Sequence, residues 1–353
     1  MENLLFLFIA LAVILFSCIL FSNAIEWLGA KLNLSHGVTG SILAAVGTAL
    51  PETMVPLVAI FWGLSQPEII HTIKYGVDSH SESCDISMGA IIGAPFMLIT
   101  LAFFLVGISG FIYFKNGTRP DEYIRVDKTV LKRDIQFFII SFSIAFISVF
   151  FNHQIKIGVS VLLIVLYALY IYKTFKEESG SNFEGEELEE NLEPLISTRV
   201  FRGTQPTMFL ISAQLIFSLL CLVFSAHHFV EAIKGIADYF SFPAFVISLL
   251  LAPIATELPE KFNSWMWVKG KKDTLAIGNV SGALVFQSTF PVSVGLLFTS
   301  WEIQSSISYF IFLFCILNAF LILYFLTKEK LSYKTFLTCG IFYLVYLFLI
   351  FLM

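Results

Sequence analysis

Two carboxylates stand inside long apolar runs: Glu52, in Gly47-Thr-Ala-Leu-Pro-Glu52, and Glu260, in Ala255-Thr-Glu-Leu-Pro-Glu260. A carboxylate at the hydrocarbon centre of a membrane is costly, and where one occurs beside a helix-breaking proline it marks an ion pathway or a proton relay. Proline has no backbone N–H, so Pro51 and Pro259 leave the carbonyls of Gly47 and Ala255, four residues earlier, without their helical donor. Unwound or kinked backbone at membrane depth is tolerated where it lines a cavity. The two stretches therefore describe one shared, wet, anionic cavity near the midplane. Facing carboxylates suit one divalent cation or two protons. Glu52 and Glu260 are the candidate metal-binding pair, able to supply up to four oxygens, with the freed carbonyls of Gly47 and Ala255 beside them. Glu257 and Lys261 are four apart on one helix, a spacing at which Glu and Lys meet. They form either a charge-neutralising structural pair or a third cation-binding acid whose charge Lys261 modulates.

The elements that must position these groups are membrane helices. Of the 353 residues 57% are hydrophobic, and only 13% are charged, about half the share usual in soluble domains. A span needs about 20 apolar residues, and ten stretches qualify: 4–22, 38–63, 86–114, 135–151, 155–175, 207–230, 242–268, 274–299, 305–327 and 333–352. No soluble domain remains. Seventeen of the 21 Lys and Arg residues fall in odd-numbered loops and three in even-numbered ones, while Lys261 lies within the seventh span. Odd loops are therefore cytoplasmic and both termini extracytoplasmic. The first span lacks the basic flank of a cleaved signal and is kept as mature structure. Cys18, Cys221, Cys315 and Cys339 lie in spans and Cys84 in an outer loop, so no disulfide is expected.

The chain repeats itself. Span one ends in Phe21-Ser-Asn-Ala-Ile-Glu26 and span six in Phe224-Ser-Ala-His-His-Phe-Val-Glu231. The Leu-Pro-Glu segments follow, and then Asp85-Ile-Ser-Met-Gly-Ala-Ile-Ile-Gly-Ala94 and Asp273-Thr-Leu-Ala-Ile-Gly-Asn-Val-Ser-Gly-Ala283, in the same order. Five spans form one unit, and an odd number inverts the second copy, as in secondary transporters with a midplane site. The chain divides into a first repeat at 1–175, an acidic cytoplasmic linker at 176–206, solvated and without an EF-hand pattern, and a second repeat at 207–353. Gly89 and Gly93, and likewise Gly278 and Gly282, have the spacing that brings helices close. His227 and His228 read as interfacial, and the irregular group His71, Asp78, His80, Glu82, Cys84 and Asp85 as a solvated loop.

These paired motifs resemble those of the calcium/cation antiporter superfamily, the sodium/calcium and proton/calcium exchangers, whose repeats carry Gly-Thr-Ser-Leu-Pro-Glu followed by Gly-Asn-x-x-Gly-Ser-Asn. The resemblance implies that Glu52 and Glu260 are the central cation ligands and that Thr48 and Thr256 accompany them. The family's serines are replaced by Ala49, Glu257, Ala94 and Ala283, and the final Asn or Asp of the later motif by Leu98 and Gln287. Ca²⁺ prefers about six to eight oxygen ligands, and Thr48, Thr256 and Gln287 are the candidates for the remainder.

The resulting expectation is an all-α polytopic membrane protein of ten helices in two inverted five-helix repeats, in the cell (inner) membrane. It exports Ca²⁺ in exchange for H⁺ or Na⁺ by alternating access, with a monovalent Na⁺(K⁺)/H⁺ antiporter as the alternative. Its partners are inorganic cations and the bilayer, with no nucleic acid and no cofactor. An enzyme would need a nucleophile and base or an Asp-rich metal motif at depth. No Asp is expected deep in any span, and the histidines sit at span ends. A channel is disfavoured by the inverted halves.

Overall fold

The computed structural model describes residues 2–31, 45–62, 71, 82–178, 194–200, 206–240, 244–269, 271, 273–303 and 306–352. Among these the regular elements are helices, with one isolated bridge between Tyr123 and Ser332. In chain order they are α1 (Glu2–Lys31), α2 (Ala45–Phe61), α3 (Glu82–Met97), α4 (Phe103–Lys115), α5 (Lys128–Ile147), α6 (His153–Glu178), α7 (Ile196–Val200), α8 (Met208–Phe240), α9 (Ala244–Lys269), α10 (Asp273–Gln287), α11 (Phe290–Phe298), α12 (Ser306–Thr327) and α13 (Tyr333–Leu352).

Each of the ten apolar stretches contains helix, and seven helical segments among the described residues are long and apolar enough to cross a membrane. α1 and α2 contribute shorter apolar segments, Leu5–Phe21 and Glu52–Phe61. α9 falls outside the seven, and its sequence includes Glu257, Glu260, Lys261 and Lys269.

Burial separates a centre from a periphery. The segments Cys84–Lys115 and Ala276–Phe298 are 78% and 89% buried, against 22% for His153–Glu177 and 28% for Met208–Tyr239. The third and eighth stretches therefore form the middle of the bundle, while α6 and α8 turn apolar side chains such as Tyr172, Phe209 and Leu220 outward, as lipid-facing helices do.

Both central rods are interrupted at matching positions. α3 passes through a π-helical turn at Leu98–Ala102 into α4, and α10 stops at Gln287, with a turn at Ser288 and Thr289 before α11. Local chemistry accounts for both. Pro95 removes a donor from α3, and Thr100 Oγ1 bonds back to the Phe96 carbonyl at 2.5 Å. Thr289 Oγ1 bonds back to Val285 O at 2.7 Å, and proline opens α11. Breaks of this kind recur at functional sites.

Packing follows a pattern that survives exchange of the two halves. α2 packs on α3 as α9 does on α10; α9 packs on α3 as α2 does on α10; α13 packs on α4 as α6 does on α11; and α8 packs on α2 as α1 does on α9. At Gly89 and Gly93 the contact is backbone to backbone. A Cβ at Gly89 would stand 2.5 Å from Phe245 O, and one at Gly93 2.6 Å from Leu249 O. The close approach expected of this glycine pair is thus made to α9. A Cβ on Gly278 meets nothing within 4 Å among the described residues.

Candidate cation site

α2 and α9, which carry the two Leu-Pro-Glu segments, pack against each other. Both helices continue through their prolines, α2 from Ala45 to Phe61 and α9 from Ala244 to Lys269. Of the unwound or kinked backbone expected at Pro51 and Pro259, the described backbone shows no unwinding. A proline deletes one hydrogen bond, and neighbouring helices can hold the rest of the turn in place. The carbonyls of Gly47 and Ala255 still face imino nitrogens four residues on, so their lack of a helical donor stands.

Glu52 is 5% exposed, and its Oε2 accepts a hydrogen bond from Gln287 Nε2 at the end of α10. This joins the first Leu-Pro-Glu segment to the interrupted rod of the other half. With its amide nitrogen committed to Glu52, Gln287 keeps an Oε1 that is buried and has no hydrogen-bond partner among the described residues. A neutral amide oxygen beside a carboxylate is an oxygen donor of the type that hard cations take.

Glu257 is fully buried and lies 2.7 Å from Lys261 Nζ, one turn along α9. The pair expected from the spacing is formed, and the lysine's charge offsets that of the third acid. The side chains of Thr48, Thr256 and Glu260 lie outside the described residues; their backbones are in α2 and α9.

Two buried networks hold α10 in place, and sequence reasoning had passed over both. At its first turn, Arg119 donates to both carboxylate oxygens of Asp273 at 2.7 and 2.5 Å and to Val268 O at 3.1 Å. The Arg125 N–H adds a bond to Asp273 at 2.8 Å. Hydrogen bonding to the Asp273 carboxylate raises the Arg119 guanidinium pKa above its ordinary value. Further along, Ser281 donates to Asp134 Oδ2 at 2.6 Å, while Arg133 bonds Asp134 Oδ1 at 3.0 Å and Glu177 at 2.7 Å.

Asp134 has no exposed surface. It precedes the 135–151 stretch by one residue, so the expectation of no Asp deep in a span is untouched, and the arginine next to it in sequence supplies the compensating charge that its burial requires. The adjacent Arg133-Asp134 pair at the edge of an apolar run was the available signal.

Cys84 also departs from its expected loop position. It lies in α3, fully buried, with its sulfur 3.6 Å from Ser300 Oγ. Cys315 and Cys339 are buried free thiols. Of the neighbouring loop group, Asp78 and His80 lie outside the described residues, as does the Glu82 side chain, and His71 is exposed.

Comparison with known proteins gives the family and the fold. The family model "Sodium/calcium exchanger protein" matches residues 2–176 and 210–352, two blocks that flank the acidic tract. The inner membrane protein YrbG of Escherichia coli (strain K12) is 23% identical over 270 residues, 76% of this chain and 71% of that protein. The membrane protein MJ0091 of Methanocaldococcus jannaschii is 25% identical over 273 residues, 77% of this chain and 74% of that protein. The fold is similar to that of the H⁺/Ca²⁺ exchanger CAX, with a TM-score of 0.73 at 18% identity over 98% of this chain and 82% of that one. It is also similar to the sodium-calcium exchanger NCX_Mj, with a TM-score of 0.60 at 20% identity over 98% and 97%. With the family match covering nearly all of both halves, this chain belongs to the sodium/calcium exchanger protein family.

Proposed function

We propose that the protein is a secondary active antiporter that exports Ca²⁺ in exchange for H⁺ or Na⁺, by alternating access at a two-carboxylate site formed by Glu52 and Glu260. The observation that supports this most is the buried Glu52–Gln287 bond, which places a carboxylate of one half against an amide of the other at the interruption of a central rod. Glu257 adds no net charge to the site because Lys261 sits 2.7 Å away. Two acids then remain for one divalent ion or two protons. Thr48, Thr256, Gln287 and the carbonyls of Gly47 and Ala255 complete the oxygen set.

The packing pattern that survives exchange of halves supports ten spans in two inverted five-span repeats, 1–175 and 207–353, joined by a solvated cytoplasmic linker at 176–206. In this arrangement one set of helices rocks against the other about the fixed site, exposing Glu52 and Glu260 to each side in turn. The protein lies in the cell (inner) membrane with both termini extracytoplasmic. Its partners are inorganic cations and lipid.

H⁺ is favoured over Na⁺ as the coupling ion by ligand supply. Na⁺ lacks the divalent charge that would compensate for missing oxygens, and the family hydroxyls are replaced by Ala49, Ala94 and Ala283. A proton needs only a carboxylate. Ca²⁺ uptake into proteoliposomes, under a pH gradient and a Na⁺ gradient separately and with the potential clamped, tests this. Flux driven more strongly by the pH gradient is expected, and strict Na⁺ dependence would overturn it.

A second reading, monovalent Na⁺(K⁺)/H⁺ antiport, draws on Lys261 and on the family hydroxyls replaced by Ala49, Ala94 and Ala283. Alkali-cation flux against protons without Ca²⁺, and no Ca²⁺ flux under either gradient, would establish it instead.

A further inference from the structure

In the C-terminal half of α8 the imidazoles of His227 and His228 approach one carboxylate. His227 Nε2 lies 3.4 Å from Glu231 Oε1, and His228 Nδ1 lies 3.5 Å from Glu231 Oε2. One ligand atom from each of the three residues falls within 4.8 Å of the others. These separations are long for hydrogen bonds, which cluster at about 2.7–3.2 Å. Each lies near the roughly 3.3–3.4 Å that separates two ligand atoms held about 2.0–2.1 Å from a tetrahedral ion, with each imidazole facing a different oxygen of the one carboxylate.

Helical spacing accounts for the arrangement. His227 and Glu231 are one turn apart on one face, and His228 reaches the other oxygen of the same carboxylate from the adjacent row. The Glu231 side chain is 60% exposed, so protein atoms do not close over the cluster.

We infer that His227, His228 and Glu231 form a binding site for a borderline-soft divalent cation of the zinc class, separate from the exchange site. Two imidazoles and one carboxylate, with water in the fourth position, make an open tetrahedral set that Zn²⁺ accepts and that Ca²⁺, which takes six to eight oxygens, does not. A ligating role goes beyond the interfacial reading of the two histidines and rests on Glu231 lying beside both. The site also has a mechanical connection. The Trp62 ring stacks on His227 with centroids 4.3 Å apart and planes at 21°. Trp62 follows the last residue of α2, ten residues and so about 15 Å of helix beyond Glu52. An ion that fixes the His227 ring therefore restrains the end of the helix that carries Glu52, and this consequence rests on the exchange reading above.

The binding claim is tested with Co²⁺, whose tetrahedral nitrogen and oxygen complexes absorb visible light far more strongly than its octahedral aqua ion. Full-length protein in detergent should develop these bands with one equivalent of Co²⁺, and Zn²⁺ should abolish them. The double variant H227Q/H228Q and the single variant E231Q should lose the bands, and E52Q should keep them. Absence of the bands in the unaltered protein, or their persistence in the double variant, overturns the site. Loss of the bands in E52Q would put the ion at the exchange site and also overturns it.

For the coupling, Zn²⁺ on both faces of vesicles should slow Ca²⁺ flux several-fold in the unaltered protein and leave H227Q/H228Q unaffected. Equal inhibition in both, or in neither, overturns the link through Trp62. A protein that shows no exchange at all would still develop the Co²⁺ bands, so failure of the exchange reading is distinguishable from failure of the metal site.

Discussion

At the scale of single residues, the site depends on how Gln287 divides its amide. The nitrogen is committed to Glu52, and the oxygen has no hydrogen-bond partner among the described residues. A hydrogen bond to a charged group contributes about 1.5–3 kcal/mol, and Gln287→Leu removes that bond together with a cation oxygen. The expected result is cation affinity weakened at least about tenfold with folding intact, read as a rise in the half-saturating Ca²⁺ concentration for flux. Glu52→Gln should abolish exchange altogether, since it halves the charge available to a divalent ion. Normal Ca²⁺ flux in Glu52→Gln would remove Glu52 from the site.

At the scale of elements, α10 is held to its neighbours by charge and α3 to α9 by the absence of side chains. Arg119 is 6% exposed and bidentate on Asp273, and removing one partner of a buried pair costs about 3–5 kcal/mol because the other charge is left uncompensated. Arg119→Ala should therefore lower the unfolding temperature measurably, with Arg119→Lys intermediate, since an ammonium cannot make the forked contact. At the other contact, Gly93→Leu would drive a side chain into the Leu249 carbonyl, and overpacking of this kind costs about 1–3 kcal/mol. Gly158→Ala is the control: nothing lies within 4 Å of its Cβ, and alanine is the better helix former, so thermal unfolding should be unchanged or slightly raised. Equal loss in the two glycine variants would show that backbone contact with α9 is not what matters at Gly93.

At the scale of the whole molecule, the proposed orientation rests on the positions of Lys and Arg and the proposed inversion on the repeats. Arg119 and Arg133, two of the basic residues counted in odd-numbered loops, are buried in ion pairs with Asp273 and Asp134, yet leaving both out of the count does not change the sign of the asymmetry. Cysteines introduced at Lys115 and near residue 353 should react with impermeant reagents from opposite faces of the membrane. Labelling of both from the same face would overturn the ten-span arrangement.

How much was legible in advance follows from the range over which each force acts. The helical class, the membrane setting, the doubled Leu-Pro-Glu and the Glu257–Lys261 pair could be read from the chain because each depends on local composition or on a one-turn spacing. The partner of Glu52 could be anticipated only as one of a ligand set, since its contact with Gln287 crosses 235 positions. Arg119 with Asp273, and Asp134 with Ser281, were invisible for the same reason: loop and span-edge charges read as solvated until tertiary packing withdraws water from them. The prolines show the converse. A local rule allowed unwound or kinked backbone there, and α2 and α9, each packed among neighbouring helices, continue as helix through their prolines. Sequence alone thus determined which groups exist and how often they recur, whereas tertiary structure decided which of them meet, because desolvation and charge pairing depend on neighbours that only the folded chain brings together.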